Sequence, residues 1–461
     1  MKISKLKTIK KIILSSLIIS TTLATTTAIS CIDLGSKKSK DDKAKDPAIE
    51  VSKNPNNQGS KDQSGSKNNE NKTPKESTGE TNTNPKTPIN KDISYAELEK
   101  ESNFVKDSNR TRILHWNILN YGGEKSTALS SKVYNIATAL FKSNADIMGL
   151  TEVNYDDGPK VARIVKWMND FAKVEKYSFK FQPIDQALNK DYKTSKEQIA
   201  IIYNNQTVEP VNFNNNKMYD SFKGPIKKVE SNDDVVSVLD ADDSFVRPLF
   251  GMQFRIKNNN KLITTFFGHF DSPGVKANSN ETPVKGILDG TYEIKNQGSK
   301  EISEAIGLIQ AFEFFKSISN SNNIIFGGDT NIKEESASIF DYVNLKSNTQ
   351  SFYPSNIANN TKFLTSLTTA NAFAKKKNHS GYSNSYDKWV FKEGDIDFRD
   401  YNEEPNFWFK IDIVKGFKNH LFNKEITAKK YKDLYKKSTS DFNLIRNISD
   451  HAPIIIDAIS K

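Results

Sequence analysis

Acidic, amide and imidazole side chains follow apolar runs at five points along this chain of 461 residues. Hard divalent cations bind carboxylate and amide oxygens, and histidine can move a proton near neutral pH. If the apolar runs are strands whose ends meet, these side chains form a site for a cation and a phosphate, which suits hydrolysis of a phosphate ester. In chain order the motifs are Trp116-Asn117, Thr151-Glu152, Gly268-His269, Gly328-Asp329-Thr330-Asn331 and Ser449-Asp450-His451.

The predicted cation site begins with Glu152, which follows the apolar run 147–150. A carboxylate at a strand end, facing a cleft, is the kind of hard oxygen ligand that Mg²⁺, Mn²⁺ and Ca²⁺ require. Asn117 offers a neutral oxygen beside it, and Asp450 is the third predicted ligand. A structural alternative exists for Asn117, since an Asn after a Trp is commonly a turn or strand-cap residue.

The Gly-Gly-Asp-x-Asn motif follows the apolar run 324–326. Its glycines permit a tight backbone turn and leave room for a ligand. Asp329 is predicted to polarise an attacking water, and Asn331, two residues later, to hold a phosphate oxygen of the substrate. The structural alternative is an Asx turn after a strand.

Two of the five histidines are placed to act, His269 and His451, because each adjoins an apolar run. Adjacent Asp450 and His451 cannot both face the core of a regular strand, so this motif is expected at an edge or a turn. His115 lies in the middle of a predicted strand and is expected to be packed or hydrogen-bonded. The other two, His379 and His420, lie in polar surroundings and are expected to be solvated.

A histidine near a phosphate needs a carboxylate that orients its ring and stabilises its cationic form. For His269 the predicted partner is Glu197, just before an apolar run. For His451 the predicted partner is Asp387, with Asp412 as the competitor. The spacing of these residues along the chain leaves the choice between Asp387 and Asp412 open.

The elements that must position these side chains alternate between strands and helices. Three segments have apolar residues at helical spacing, 131–142, 161–171 and 301–315. This alternation favours a sheet-on-sheet core with helices on its outer faces. The predicted strands, rich in β-branched and aromatic residues, are 112–119, 147–150, 198–203, 251–256, 263–268, 323–326, 388–391 and 452–456.

Three further segments look like insertions into that core. Residues 207–245 are polar, and acidic in their second half, and residues 275–298 are rich in Gly and Asn. Residues 424–442 are rich in Lys and are expected to form a loop just before the last motif.

The N-terminal segment has the features of a secretory signal. Residues 1–30 start with lysines, continue as an uncharged apolar stretch and end in small residues before Cys31. A cysteine at this place is typical of a bacterial lipoprotein signal, which predicts lipidation of Cys31 and an anchor on the outer face of the cell membrane. Residues 31–95 then form a polar, disordered linker, and residues 96–461 form the folded domain. The alternative is an uncleaved single-span anchor.

Composition excludes some kinds of chemistry. Cys31 is the single cysteine, so the chain has no internal disulfide, cysteine metal site or cysteine nucleophile. The formal net charge is +10, and removal of the five lysines of residues 1–11 with the signal lowers it to +5. A charge this small is weak support for a nucleic-acid partner.

These motifs, in this order, resemble the endonuclease/exonuclease/phosphatase superfamily, whose prototype is deoxyribonuclease I. The resemblance implies an α+β fold, a four-layered sandwich in which two packed, mainly antiparallel β-sheets are flanked by helices. Within the superfamily the chain is most similar to bacterial surface nucleases, including the membrane nucleases of mycoplasmas. The segments that carry the resemblance are 112–120, 147–153, 196–198, 244–248, 268–273, 386–390 and 449–453.

The resemblance also implies a cofactor and a substrate. The cofactor is Mg²⁺, with Mn²⁺ or Ca²⁺ as alternatives, and the substrate is DNA, with RNA as an alternative. Arg247 corresponds to an arginine that meets the nucleic-acid backbone, and the stretch around Asp387 fits the histidine-partner motif better than that around Asp412. The expected activity is hydrolysis of phosphodiesters with little sequence specificity, for nucleotide scavenging.

Other functions stay open at this point. The same metal–histidine arrangement serves sphingomyelinase-like phosphodiesterases and inositol-phosphate phosphatases. A non-enzymatic surface adhesin or antigen is a further alternative, although the full set of site residues argues against a decayed site. No protein partner is evident, and the sequence does not assign the base and the acid between His269 and His451.

Overall fold

The strands of the computed structural model coincide with the β-branched and aromatic runs of the sequence, as steric preference favours. The structure describes residues 106–461 except 123–128, 194, 228–242, 273–282, 376–379 and 405–407. The predicted signal 1–30, Cys31, most of the segment before the first strand and His379 lie outside the described residues. In the described part of the chain, no helix is long and apolar enough to cross a membrane.

All eight predicted strands are present, and the described residues contain further strands between them. They are β1 (Arg110–Tyr121), β2 (Ile147–Asn154), β3 (Tyr177–Phe181), β4 (Glu197–Asn204), β5 (Val208–Val211), β6 (Tyr219–Phe222), β7 (Leu249–Ile256), β8 (Leu262–His269), β9 (Pro283–Leu288), β10 (Tyr292–Gly298), β11 (Ile324–Asp329), β12 (Gln350–Ser351), β13 (Asp387–Lys392), β14 (Ile396–Phe398) and β15 (Ile454–Ser460).

The three predicted helices correspond to the first, second and fourth α-helices of the described residues. The helices are α1 (Leu129–Ser143), α2 (Ala162–Ala172), α3 (Ile184–Ala187), α4 (Ser299–Ile318), α5 (Ser338–Ser347), α6 (Ala370–Lys375), α7 (Lys424–Tyr435) and α8 (Asp441–Arg446).

The strands form two large sheets that share one design. The first sheet has the order β14-β15-β1-β2-β4-β3, and the second has the order β12-β13-β11-β8-β7-β5, with β6 also paired to β7. Each sheet is antiparallel except for one pair near its centre, β1 with β2 and β8 with β11. Strands β9 and β10 form a separate hairpin. The carboxyl ends of the two parallel pairs carry the predicted site motifs.

The hydrophobic core consists of three clusters of buried side chains, which lie between four layers of secondary structure. Between the two sheets, Ile113 and Ile456 of the first pack in one cluster with Phe267 and Trp389 of the second. Helices α1 and α2 cover the outer face of the first sheet, and α4 and α5 cover that of the second. The predicted fold, two mainly antiparallel sheets flanked by helices, is therefore confirmed.

The Lys-rich segment 424–442 is not a loop, as the sequence pattern had suggested, but helix α7 and the start of α8. The side chain of Asn423 accepts a hydrogen bond from the backbone N–H of Ile426 and so caps α7. Ile426 and Thr427 turn toward the core, which gives the helix a packing face in spite of its many lysines. The two other segments that look inserted contribute β5 and β6 to the second sheet and the β9–β10 hairpin.

Candidate active site

Three neighbouring strands of the second sheet place three site residues side by side. Asp329 ends β11, and it is in register with His269 at the end of parallel β8 and with Asp387 at the start of antiparallel β13. All three side chains are buried, Asp329 to 1% exposure and Asp387 to 0%. Sheet register thus delivers an imidazole and two carboxylates to one edge.

Gly328 allows β11 to approach β8 closely just before Asp329. A Cβ atom at this position would lie 2.6 Å from the carbonyl oxygen of Gly268 and 2.5 Å from the ring of Phe326. Both distances are too short for carbon, and the backbone oxygen belongs to a paired strand that cannot move freely. The glycine therefore keeps His269 and Asp329 in register.

His451 and Asp387 form a buried pair. The Nδ1 atom of His451 lies 2.8 Å from Oδ2 of Asp387, and the imidazole is 7% exposed. Asp412, the alternative partner, instead accepts a hydrogen bond from the hydroxyl of Tyr382 at 2.9 Å. Of the two carboxylates that the sequence left open, Asp387 is the one in contact with His451.

The backbone around His451 is fixed to the first sheet. The indole Nε1 of Trp116 donates to the carbonyl oxygen of His451 at 2.7 Å, and the hydroxyl of Ser449 donates to the carbonyl oxygen of Asn117 at 2.7 Å. The same hydroxyl accepts from the N–H of His451 at 3.0 Å. These bonds explain why Ser449 and Trp116 accompany the functional residues in the motifs.

His269 forms the second pair, with Glu197. Its Nδ1 lies 2.8 Å from Oε2 of Glu197, and the other oxygen of this carboxylate lies 3.0 Å from Nε of Arg247. Burial alone would raise the pKa of Glu197, but the charges of Arg247 and His269 lower it to about 2. Glu197 is therefore ionised at neutral pH and orients the imidazole.

Arg247 occupies a different place from the one its predicted role requires. Its guanidinium is buried behind Glu197, and its Nη1 donates to the carbonyl oxygen of Phe270 at 2.6 Å. The side chain therefore faces the Glu197–His269 pair and the backbone after β8. This position suits orientation of Glu197, and contact with flanking phosphates would need other cations.

The two histidines converge on Asp329. The Nε2 atoms of His269 and His451 lie 3.7 and 3.4 Å from the same oxygen, Oδ2 of Asp329. Burial opposes the cationic form of each ring, but Asp329 and the partner carboxylates raise the pKa of both histidines, that of His451 well above its ordinary value. The centre thus holds one carboxylate between two imidazoles that can carry protons.

Glu152 lies on the other side of Asn117 from this centre. The Nδ2 atom of Asn117 donates to Oε1 of Glu152 and to Oδ2 of Asp329, each at 2.9 Å. The backbone N–H of Asn120 donates to Oε2 of Glu152 at 2.8 Å. The amide oxygen of Asn117 accepts from the N–H of Leu119, so the amide presents its nitrogen to the site rather than the oxygen expected for a cation ligand.

The Glu152 side of the site also contains Asp450 and Lys132. Lys132 was not among the predicted site residues. The negative charge of Asp450 helps to raise the pKa of Glu152, after burial and the charge of Glu197. The amine of Lys132, in the first turns of α1, donates to the carbonyl oxygen of Leu119 and lies near both carboxylates. Burial lowers its pKa to about 8 although the two carboxylates oppose the shift. A lysine at a helix start carries no sequence signal of such a position.

Asn331 forms the Asx turn that was the structural alternative to a phosphate contact. Its backbone N–H donates to Oδ1 of Asp329 at 3.1 Å, which is the Asx turn, and its φ of 53° is left-handed. Its side-chain nitrogen donates to the carbonyl oxygen of Phe270 at 3.2 Å. Asn331 therefore lies beside Asp329 and ties the turn after β11 to the backbone after β8.

His115 is buried, as expected, but it also contacts the site. Its Nδ1 lies 3.3 Å from Oδ1 of Asp387, and its Nε2 lies 3.1 Å from the hydroxyl of Thr151. Among the described residues neither Nδ1 of His115 nor Oδ1 of Asp387 has an aligned hydrogen-bond partner, so this is a close polar contact. Asp387 of the second sheet consequently lies between two imidazoles, that of His115 on β1 and that of His451 just before β15.

The donor set fits a hard divalent cation at two adjacent places. Burial and then the charges of Glu197 and Asp450 raise the pKa of Glu152, and a cation bound by Glu152 and Asp450 would offset this repulsion. Asp329, Asp387 and His451 also offer three ligand atoms within 4.8 Å of one another. The second group is the less suited, since its charges favour the imidazolium form of His451 and a cation would compete with that proton.

No family model matches the chain. A protein of Mycoplasma pneumoniae, described as uncharacterized, is 29% identical over 214 residues, which are 45% of this chain and 36% of that protein. This chain therefore spans about a third of that relative.

Several solved structures are similar to this one at low sequence identity. The human Nocturnin catalytic domain with bound sulfate anion has a TM-score of 0.41 at 12% identity, over 78% of this chain and 97% of that one. An endonuclease/exonuclease/phosphatase from Bacteroides vulgatus has a TM-score of 0.41 at 12% identity, over 76% and 99%. D. rerio TDP2 complexed with single strand DNA product has a TM-score of 0.41 at 12% identity, over 77% and 100%.

The two sheets, their flanking helices and the motifs at the ends of the parallel strand pairs are the features that the resemblance implied. The four-layered fold that the resemblance to the endonuclease/exonuclease/phosphatase superfamily implied is therefore present.

Proposed function

We propose that this protein is a divalent-metal-dependent nuclease that hydrolyses phosphodiester bonds of DNA, and of RNA as an alternative substrate, with little sequence specificity. The observation that carries the proposal is the convergence of two histidine–carboxylate pairs on Asp329, with Glu152 beside it. Hydrolysis of a phosphodiester needs a proton acceptor for water, a proton donor for the leaving oxygen and stabilisation of negative charge. The site contains a group for each task.

In the proposed reaction water attacks phosphorus in line with the leaving oxygen. Asp329 receives the proton of the water, directly or through one histidine, and the other imidazolium donates its Nε2 proton to the leaving oxygen as the P–O bond breaks. Glu197 and Asp387 hold the rings by Nδ1 and stabilise their cationic forms. Asn117 fixes Asp329 relative to Glu152 through its shared amide nitrogen.

Glu152 and Asp450 would hold the divalent cation, Mg²⁺ in the first instance with Mn²⁺ or Ca²⁺ as alternatives. When bound, the cation withdraws charge from a non-bridging phosphate oxygen and stabilises the transition state. Lys132, between the same two carboxylates and the carbonyl oxygen of Leu119, adds a further positive charge at this side.

The proposed setting is the outer face of the cell membrane, with a lipid on Cys31 and residues 31–95 between the lipid and the folded domain. The support is the basic, apolar and small-residue pattern of 1–30. Nucleases in this place would supply nucleotides from external nucleic acid. A Cys31→Ser variant should leave the detergent-phase membrane fraction; if it stayed there as fully as the wild type, the lipid anchor would be wrong.

The activity is tested by incubation of the purified protein with circular plasmid DNA, with Mg²⁺, Mn²⁺ or Ca²⁺ and with a chelator. We expect nicking that needs the cation and that falls by about 10³-fold or more in His269→Ala and Glu152→Ala. His420→Ala is the matched control, since His420 is an exposed histidine outside the site. Its rate should equal that of the wild type.

The other phosphoesterases of the same fold are tested in parallel. Release of phosphocholine from sphingomyelin, or of phosphate from inositol phosphates, without cleavage of plasmid, linear DNA or RNA, would overturn the nuclease assignment. Loss of that release in Glu152→Ala would then assign the alternative activity to the same site. Absence of every hydrolytic activity would favour a surface adhesin or antigen.

A further inference from the structure

Helix α7 is the element next to the site for which the proposed reaction gives no role. Its first turn is fixed to α1, because the N–H of Asn423 donates to Oδ1 of Asn135 and Nδ2 of Asn135 donates to the hydroxyl of Thr427, both at 2.8 Å. Asn135 lies one helical turn after Lys132, which adjoins Glu152 and Asp450. The start of α7 is therefore about one helical turn, roughly 5 Å along α1, from the cation side of the site.

The C-terminal end of α7 is connected to the site through α8. After Tyr435 the chain enters α8, which ends at Arg446, three residues before the Ser449-Asp450-His451 motif. The ring of Phe442 in α8 stacks on Phe373 in α6 with a centroid distance of 4.1 Å. Both ends of α7 are thus held by elements that carry or adjoin site residues.

The face of α7 that points away from these contacts carries more lysines than acids, since Glu425 and Asp433 are the acids on the same side of the helix. Lys429, Lys432 and Lys436 recur at intervals of three and four residues, which puts them along one side of the helix. All three side chains are exposed. Within the described residues none of the three has an ion-pair partner, in contrast to Lys424, which pairs with Asp441 at 2.7 Å.

Two tyrosines lie beside this row of lysines. Tyr431 and Tyr435, one helical turn apart, have a ring-centroid distance of 4.6 Å, and Tyr435 is 48% exposed. Tyr431 is half-buried, and the exposed ring of Tyr435 beside the lysines offers both a charge and a ring face to a ligand. Because this face is polar, it is not suited to packing against an apolar protein surface.

We propose that α7 is a docking surface for the strand of nucleic acid that flanks the scissile phosphate, with lysines on the phosphates and tyrosine rings available to bases. The inference rests on the proposed nuclease function and adds to it the surface that holds the substrate. The row from Lys429 to Lys436 extends about 10 Å, at roughly 1.5 Å per residue, which spans several phosphates of one strand. Arg247, the predicted phosphate ligand, is buried behind Glu197. The lysines of α7 would therefore supply the positive charges that contact the flanking phosphates.

The test uses the full-length protein with the three substitutions Lys429→Gln, Lys432→Gln and Lys436→Gln combined. We expect kcat/KM for DNA to fall at least about tenfold at moderate salt, mainly through KM. The slope of log(kcat/KM) against log[salt] should become shallower by about 2 to 3, as expected when phosphate contacts are lost. Hydrolysis of a small diester, bis(p-nitrophenyl) phosphate, should be unchanged and shows that the fold and the site are intact.

The matched control removes three exposed lysines elsewhere, Lys166→Gln, Lys257→Gln and Lys346→Gln, with the same change of net charge. If the control and the α7 variant have the same salt slope and KM, the docking inference is wrong while the nuclease function stands. If the α7 variant loses binding to vesicles of anionic lipid but cuts DNA like the control, the surface serves the membrane and the inference is also wrong. If the wild type cuts neither DNA nor the small diester, the proposed function itself fails.

Discussion

The amide nitrogen of Asn117 is hydrogen-bonded to two carboxylates at once, Glu152 in its own sheet and Asp329 in the opposite sheet, each at 2.9 Å. Asn117 lies on β1, which belongs to the first sheet, and Asp329 ends β11 of the second. One side chain therefore sets the distance between the carboxylate of the cation side and the carboxylate that faces the histidines. No described residue makes a second such bridge between these two carboxylates.

Asn117→Ala should therefore impair catalysis. Each hydrogen bond to a charged group contributes about 1.5–3 kcal/mol, so we expect kcat/KM to fall about 10- to 100-fold or more. Asn117→Asp should be worse, since it adds a third carboxylate where the amide donates. Equal activity of the Asp variant and the wild type would show that position 117 presents an oxygen to a cation, as the sequence analysis had expected.

His115 should act on the reaction through Asp387. The two sheets meet at this contact, 3.3 Å between Nδ1 and Oδ1, while the other oxygen of Asp387 binds His451. The charges of His451 and His115 outweigh burial and hold the pKa of Asp387 below its ordinary value. His115→Leu leaves Oδ1 in an apolar space, so we expect about a 10-fold loss of kcat. The alkaline limb of the pH–rate profile should also shift to higher pH, because Asp387 then interacts more strongly with the imidazolium of His451.

The conservative variant His115→Asn separates positioning from packing. The Asn amide can reach Asp387 with an N–H at a place close to that of Nδ1, so most of the rate and the position of the alkaline limb should return. His115 also stacks on Phe267, with ring centroids 6.2 Å apart, and Leu preserves part of that packing. If His115→Asn and His115→Leu had the same pH profile, His115 would be a core residue only.

The meeting of the site residues in space was predictable from the sequence, because each follows an apolar run and the runs are strands. Register then brings His269, Asp329 and Asp387 together, and an alternation of strands and helices was enough to expect two sheets with helices outside. Local pattern also identified Glu197 as the neighbour of His269. These are properties of strand ends, which the sequence marks directly.

Contacts between the sheets could not be predicted in the same way. The amide orientation of Asn117, the position of Lys132 and the second contact of Asp387 depend on which side chains face one another after the sheets pack. Helix α7 was predicted as a loop because its lysines hide the pattern of Ile426, Thr427 and Tyr431, and its partner Asn135 lies 288 residues away in sequence from Asn423. Such distant contacts have no local signature.

The stability of the Glu197–Arg247–His269 group should depend on pH in acid. The folded pKa of Glu197 is lowered to about 2 from an ordinary value of 4.5. The stabilisation is therefore complete above pH 4.5 and is lost as the pH falls toward 2. Urea unfolding of wild type and Glu197→Gln should show a difference in unfolding free energy that shrinks as the pH falls below 4.5. A difference that grew in acid would contradict this assignment.

Glu304 in α4 should fix the position of two backbone segments, the loop that carries Arg247 and the residues that follow His269. Its carboxyl accepts the N–H of Val246 at 2.6 Å and that of Asp271 at 2.7 Å, and burial raises its pKa to about 8. Glu304→Ala leaves both N–H groups buried without a partner, at about 1–3 kcal/mol each. We expect a loss of about 2–5 kcal/mol in the free energy of unfolding, together with reduced activity.

The pH dependence of this variant follows from the raised pKa of Glu304. In the wild type the folded state keeps the proton that the unfolded state loses above about pH 4.5, so this group lowers stability as the pH rises from 4.5 to 8. The cost of Glu304→Ala should accordingly shrink over that interval in urea titrations. Glu313→Ala, an exposed glutamate on the same helix, is the control and should change stability by less than about 0.5 kcal/mol at every pH. A cost of Glu304→Ala that rose toward pH 8 would mean that the carboxylate, and not the neutral acid, holds the two loops.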